Sequence, residues 1–420
     1  PLAFYLRSSG VEVEAFDDYF REPLRTQMQD AGIKVLMEPV PLQKPDCVIR
    51  SSAISPSDAR LSSFRSGSIT IYKRGEFLAE YSQGLKTVAI VGSHGKTTTT
   101  GMISWALTQV GFDFSYLVGG RFKNDFLQIG QYQDSPWLIM EVDESDGTID
   151  GFCPDISLVL NCDWDHVDQY DYKESLQETF QQLLSRSKSG VVVPSSSELF
   201  PWARDHLSVE VLAFDPANES ADFMVSNKAA SIVCAKMMGV DIGNVDFAAF
   251  PGMERRQSTL FEDIGRTILE DYAHHPSEIR SFLAERRKKL PEHWMKVIFQ
   301  SHRYSRTKAF AQSFAEELSV ADELNFLPTY GAFEDYDAGG DAESLAGYLP
   351  PRLREESKVF TDFPTFMEES NPRGGNANSE QILFVGAGNI DGWAHAFAAI
   401  NHTKGDRGSA FSYFLTDRLS

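Results

Sequence analysis

The sequence is short of cysteine, with four in 420 residues, and Cys47, Cys153, Cys162 and Cys234 are scattered without a C-x-x-C spacing. That scatter excludes a disulfide framework and a cysteine-built zinc site, and predicts buried free thiols in a reducing compartment. Basic residues are scarce as well: Lys plus Arg number 39 against 60 for Asp plus Glu, a net charge of −21. A general nucleic-acid binder is thereby excluded, since counterion release needs a basic surface. Small phosphorylated ligands remain open, because a helix N-terminus, a few placed cations and a metal hold them at any net charge. No apolar run reaches the ~18 residues that span a bilayer, so no membrane insertion is expected. No internal repeat is present, which excludes a solenoid. The first residues carry no basic-then-apolar signal segment, the expectation for a cytoplasmic protein, and the chain begins at Pro1 rather than Met.

What is present is an ordinary globular composition, 42% hydrophobic and 24% charged. At roughly 150 residues per domain the length predicts about three domains. Strands and helices alternate, which favours an α/β fold of parallel sheets with helices on both faces. Residues 1–84 read as a helix (2–9), a strand (11–16), a helix (24–31) and strands near 33–37 and 47–49. This is a small Rossmann-like domain without its first strand and glycine turn. Residues 85–248 form a central unit that opens on the apolar run Val88–Val91. Residues 249–420 have the clearest rhythm, with strands at 267–271, 296–299, 323–327 and 382–385. Helices are expected at 277–290, 308–318, 343–349, 363–369 and 393–400, and a surface loop at 371–378.

Residues 88–100 read VAIVGSHGKTTTT. A β-branched run enters a Gly-x-x-Gly-Lys-Thr turn and a helix-compatible segment leaves it. Gly92 and Gly95 permit the backbone angles that let successive N–H groups wrap a phosphate. Lys96 then reaches the β and γ oxygens and the Thr97 hydroxyl ligates Mg²⁺. The loop is shorter than the usual eight-residue pattern, with Ile90 where that pattern has glycine. Candidate nucleotide contacts are Gly92, Ser93, His94, Gly95, Lys96, Thr97 and Thr98; the alternative is an incidental turn. As an exposed loop residue, Lys96 is expected to matter little for folding.

Two further strands run into EVDESDGT (141–148) and NCDWDHVDQY (161–170). Parallel strands end at one sheet edge, so Glu141 and His166 are expected beside the phosphate loop as ligands of a bridging metal. The competing interpretation is a set of solvated strand-end carboxylates with a turn histidine.

These segments resemble, in order and spacing, the three central motifs of the Mur ligases, ATP-dependent enzymes of peptidoglycan synthesis. FPGMERRQ (250–257), DYAHHPSEI (271–279), FQSHRYSRT (299–307) and FVGAGNI (384–390) extend the likeness to the branch that adds L-alanine to UDP-N-acetylmuramate. Ser145 favours that branch over the murein-peptide recycling ligases. The resemblance implies three domains: a UDP-sugar-binding Rossmann-like domain, a central phosphate-loop ATPase domain and a C-terminal Rossmann-like domain. It implies ATP and Mg²⁺ as cofactors, small-molecule substrates, and a monomer or weak homodimer. It further implies that Thr97, Glu141 and His166 hold metal, that Arg255 or Arg256 reaches the γ-phosphate, and that Asp271 and Asn227 lie on the nucleotide side. Ser51 and Ser52 match a sugar-nucleotide motif. Where the family frames adenine with His-Asn, this chain has Phe223 and Met224. Arg303 and Arg306, three apart, suit a carboxylate of the amino acid or the muramate. His302 stands beside them, and His274 and His275 either line that site or shape a helix start. The Gly386–Asn389 turn is expected to pack a helix rather than bind phosphate. Two alternatives stay open: a weakly active ATP-binding relative that has lost sugar recognition, and a ligase for another carboxylate, such as a folate.

Overall fold

The structure is a computed structural model that describes residues 1–420 except 19, 21, 42, 145–146, 166–168, 171, 217–222, 371–378 and 406–420. His166, Ser145 and the expected loop 371–378 therefore lie outside the described residues. The fold is α/β with mainly parallel strands. Two compact units divide it: one holds residues 1–164, 172–216 and 224–253, the other 165–171, 217–223 and 254–420.

The first unit opens with two small parallel pairs. β1 (Glu14–Ala15) pairs with β2 (Lys34–Val35), and β3 (Cys47–Arg50) pairs with β4 (Thr70–Lys73). The strands expected at 11–16 and 33–37 shrink to two residues each. Among the described residues β1 and β2 form a two-stranded sheet, and the ladder ends with that short register.

The main sheet of this unit comprises β5 (Lys86–Val91), β6 (Ser115–Leu117), β7 (Gly130–Gln131), β8 (Trp137–Glu141), β9 (Ile156–Val159), β10 (Gly190–Pro194) and β11 (Glu210–Phe214). Their spatial order is β11-β10-β9-β5-β8-β6-β7, with only the β6–β7 pair antiparallel. Strands β5, β8 and β9 are buried on both faces and read as continuous apolar runs, as covered parallel strands must. After β5 the chain fills one side of the sheet and then returns to the other with β9. The crevice beyond β5 is thus a topological switch point, where ligands bind in open α/β sheets. The helices Lys96–Gln109 and Phe223–Met237 contribute Ile103, Leu107, Ala230 and Cys234 to the core over it.

In the second unit β12 (Ser258–Glu262) is an antiparallel edge to β13 (Arg266–Asp271). β16 (Glu380–Gly386), β14 (Trp294–Gln300) and β15 (Glu323–Phe326) follow in parallel. Two apolar clusters, one around Phe299 and Phe314 and one around Phe366 and Phe384, cover its two faces. The helix expected at 308–318 is two helices, Tyr304–Ala309 and Ala311–Leu318, broken at Phe310. The Phe310 ring lies edge-on to His275, with centroids 5.0 Å apart, a contact that sequence periodicity does not encode.

Candidate active site

The phosphate loop leaves β5 at Val91. Gly92 has φ +139° and Gly95 φ +81°. A Cβ on Gly92 would stand 3.1 Å from Leu160 Cβ, and one on Gly95 2.9 Å from Asn227 Oδ1. Both positions therefore need glycine for backbone angle and for space. His94 is held from both sides: its N–H donates to Asn161 Oδ1 (2.9 Å), and its carbonyl accepts from Asn161 Nδ2 (3.0 Å). His94 Nε2 faces Asp163 Oδ2 at 3.0 Å, and Ser93 Oγ donates to the Asp163 carbonyl. The end of β9 thus braces the loop that follows β5. Thr98 is buried in the first turn of the helix.

Lys96 Nζ donates to the Gly92 carbonyl at 2.7 Å and to both oxygens of Glu144 at 2.8 and 2.9 Å. Burial alone would lower the lysine pKa, but the carboxylates of Glu144, Asp143 and Glu141 outweigh it and hold Lys96 charged above its ordinary value. The expectation of an exposed loop lysine is corrected here: its side chain is 15% exposed, and its partner Glu144 is only 1% exposed. Beside it, Thr97 Oγ1 donates to Glu141 Oε2 at 3.0 Å, and Glu141 also accepts from the Gly119 N–H. Burial raises the Glu141 pKa, an effect that a cation at this place would oppose.

Thr97 and Glu141 are hard oxygen donors of the kind Mg²⁺ takes. Among the described residues no three His, Cys, Asp or Glu side chains gather at metal-ligand spacing. A cation here would draw its remaining ligands from phosphate and water, as Mg²⁺ commonly does. A cavity of about 220 Å³ opens beside these groups, lined by Lys96, Gly119, Glu141, Asp143, Leu78 and Arg74 among others. Asn227 is buried within its helix with Oδ1 against Gly95. Ser51 and Ser52 are exposed just beyond β3.

In the second unit the carboxyl ends of β13, β16 and β14 gather another polar cluster. Arg255 (φ +56°) donates to the carbonyls of Gly386 and Gly388 at 3.2 and 3.0 Å, and Arg256 Nη1 lies 3.3 Å from Glu278. Both guanidinium groups lie 4.8 Å from the centre of the Tyr272 ring, at cation–π distance. Asp271 accepts from the N–H groups of Gln257 and Ala273, and burial pushes its pKa up to about 6 although Arg256 works against it. His275 caps the helix Pro276–Lys289, its Nδ1 facing Ser277 Oγ at 2.9 Å. His274 and His302 lie with ring centres 6.1 Å apart. Burial lowers their pKa to about 3 and about 4, helped for His302 by Arg306 and Arg303. Arg306 forms a buried fork to Asp165 (2.8 and 3.1 Å), and Arg303, at φ +71°, begins the helix Tyr304–Ala309. The fork is a partnership the spacing of the arginines does not reveal. The turn after β16 packs Gly388 against Gln300, whose Oε1 accepts from the Ile390 N–H.

Glu144, Asn161, Asp165 and Arg74 are prominent in these arrangements and were not singled out from sequence. Glu144, Asn161 and Asp165 stand inside motifs already marked by position after a strand. Arg74 carries no such local signal.

A phosphate loop at the switch point of a parallel sheet, with a carboxylate from the neighbouring strand on its threonine, defines the P-loop class of α/β proteins. Residues 90–249 match the model of the Mur ligase middle domain. The chain is 30% identical over 392 residues to a UDP-N-acetylmuramate–L-alanine ligase of Kineococcus radiotolerans, covering 83% of each, and 29% identical over 413 residues to that of Coxiella burnetii, covering 87% of each. The crystal structure of UDP-N-acetylmuramate–alanine ligase from Thermotoga maritima superposes with a TM-score of 0.74 at 23% identity, over 96% of both chains. The chain belongs to the Mur ligase family.

Proposed function

We propose that this protein is an ATP-dependent ligase that joins L-alanine to the lactyl carboxylate of UDP-N-acetylmuramate in peptidoglycan synthesis. We further propose that residues 1–84 serve the UDP-sugar, 85–248 the nucleotide and 249–420 the amino acid. In the first step a carboxylate oxygen attacks the γ-phosphorus, the bond to the β–γ bridging oxygen breaks and ADP leaves. In the second the amine, having shed a proton, attacks the acyl carbon, and phosphate departs as the amide forms. The observation that carries this is the grouping of Lys96, Thr97, Glu141 and Glu144 around the cavity at the ends of β5 and β8.

Each residue has a physical task. The N–H groups between Gly92 and Lys96 wrap the polyphosphate, since no Cβ crowds the turn at either glycine. Lys96, kept protonated by its carboxylate neighbours, exchanges Glu144 for a phosphate oxygen and neutralises developing charge. Mg²⁺, held by Thr97 and Glu141, would supply further neutralisation at the transferring phosphoryl group. His166 belongs to the same proposal. Arg255, Arg256, Asp271, His274, His302, Arg303 and Arg306 are assigned to the nucleotide and amino-acid side, where guanidinium groups suit phosphate and carboxylate.

Phosphate release measured with ATP, UDP-N-acetylmuramate and each of L-alanine, glycine and L-serine tests the reading. Turnover highest with L-alanine is expected. Binding of ATP with no turnover on any pair would replace it with the nucleotide-binding relative, and turnover only with a different carboxylate acceptor would replace the substrate.

A further inference from the structure

The cavity beside Lys96 contains a second cation, Arg74, that no family motif quoted above includes. Its position is set by three independent features. β3 and β4 are parallel and in register from Cys47↔Thr70 to Arg50↔Lys73, so Ser51–Ser52 and Arg74 leave the same edge side by side. Glu76 accepts from the Lys73 N–H (2.8 Å) and caps the helix Arg74–Tyr81. Gly75 then seats that helix start on the loop after β8: a Cβ there would come 2.3 Å from Thr148 Oγ1 and 2.7 Å from its Cα. The backbone on either side of Arg74 is therefore pinned, and Arg74 lines the cavity together with Lys96, Glu141 and Asp143.

We propose that Arg74 binds the carboxylate of the acceptor substrate and presents it to the transferring phosphoryl group. This rests on the ligase reading above. At about 220 Å³ the cavity is smaller than the roughly 300–1,000 Å³ of whole small-molecule sites, so it takes only reacting ends. Those ends are both anionic, a carboxylate nucleophile and a polyphosphate tail, and they meet beside Glu141 and Asp143. A single lysine cannot offset that repulsion while it also holds phosphate. A guanidinium suits a carboxylate because two parallel N–H groups match its two oxygens. Leu78 on the cavity wall strengthens such a contact by excluding water.

The test is calorimetric titration of the full chain and of Arg74→Ala, Arg74→Gln and Arg74→Lys. UDP-N-acetylmuramate is titrated without nucleotide, and ADP separately. A charge-assisted pair predicts about a 10- to 100-fold loss of acceptor affinity in Arg74→Ala and Arg74→Gln, with a smaller loss in Arg74→Lys. ADP affinity stays within about twofold, which also shows that the variants fold. Unchanged acceptor affinity overturns the role of Arg74, and so does an equal loss of ADP and acceptor binding. If the unaltered protein binds ADP but not UDP-N-acetylmuramate, the ligase reading itself fails, and with it the ligand assigned to Arg74.

Discussion

The phosphate loop of the first unit and the histidine–arginine cluster of the second both sit at carboxyl ends of parallel strands, yet they are built differently. The loop is nearly continuous in sequence: residues 91–97 supply its backbone cradle, its lysine and its threonine, and the end of β8 with the turn after it adds the carboxylates Glu141 and Glu144. The cluster is assembled from five separate stretches, around 165, 255, 271–278, 300–306 and 386–388, and is held by ion pairs and hydrogen bonds between them, the Arg306–Asp165 pair fully buried. Local chain geometry fixes the first, whereas long-range pairing fixes the second. Variants in the first should therefore lose activity that restored stability does not recover, whereas variants in the second should lose stability first, and the following variants test that division.

The largest effect is expected from Lys96→Ala, which should lower kcat by at least about 10²-fold, since it removes charge stabilisation at the phosphoryl group. Contrary to the expectation for an exposed lysine, it should also cost about 3–5 kcal/mol of stability, because Glu144 is left buried and unpaired. The double variant Lys96→Ala/Glu144→Gln should recover most of the stability and none of the activity, measured by thermal unfolding and phosphate release. A single variant as stable as the parent would show that the pair does not hold the loop.

Arg306→Ala comes next, with a loss of about 3–5 kcal/mol in denaturant unfolding from stranding Asp165. Arg306→Lys should recover less than half of that loss, as an ammonium cannot reproduce the fork. Full recovery by lysine would reduce the fork to simple charge pairing.

The pH dependence is smaller and carries a sign. His274 and His302 titrate near 3 and 4 when folded, below the ordinary histidine value of 6.5, so between these limits the unfolded chain binds more protons. Their contribution is complete above 6.5 and is lost as pH falls towards 3–4. Asp271 acts oppositely: with a folded pKa of about 6 against 3.8, its contribution is complete below 3.8 and is lost as pH rises through 6. Glu141, whose pKa burial also raises, acts in the same direction as Asp271. Measured against the parent between pH 4 and 6.5, Asp271→Asn should make the melting temperature rise more steeply with pH and His302→Gln less steeply. An unchanged slope in His302→Gln would mean that this imidazole is not held neutral in the fold.

Asn227→Ala should have the least effect, a nucleotide affinity loss of under about tenfold, because the side chain meets the loop at one point beside Gly95. A loss as large as that of Lys96→Ala would make Asn227 a principal nucleotide contact.

The contrast between the two regions also explains what could be read in advance. A β-branched run followed by Gly-x-x-Gly-Lys-Thr prescribes a strand, a tight turn and a helix start whatever lies around it. The loop and its two neighbouring strands were therefore legible to within a residue or two. The four parallel strands of the second sheet were legible as apolar runs buried on both faces, whereas the half-exposed antiparallel edge strand β12 was not among those expected. Strands β1 and β2 were overestimated because a strand extends only as far as its partner. The split at Phe310 was missed because its ring packs on His275, 35 positions earlier, and no periodicity encodes such a contact.

By itself, then, the sequence determined which segments become strands and helices, where a phosphate loop lies, and which carboxylates and arginines follow strand ends. These depend on backbone sterics and on patterns only a few residues long. Tertiary structure alone decided that Glu144 clasps Lys96, that Asp165 meets Arg306, that Asn227 abuts Gly95, and that Arg74 enters the cavity beside Glu141. Each of those meetings joins residues 48 to 141 positions apart in the chain, and so depends on how whole sheets and helices pack rather than on any local preference.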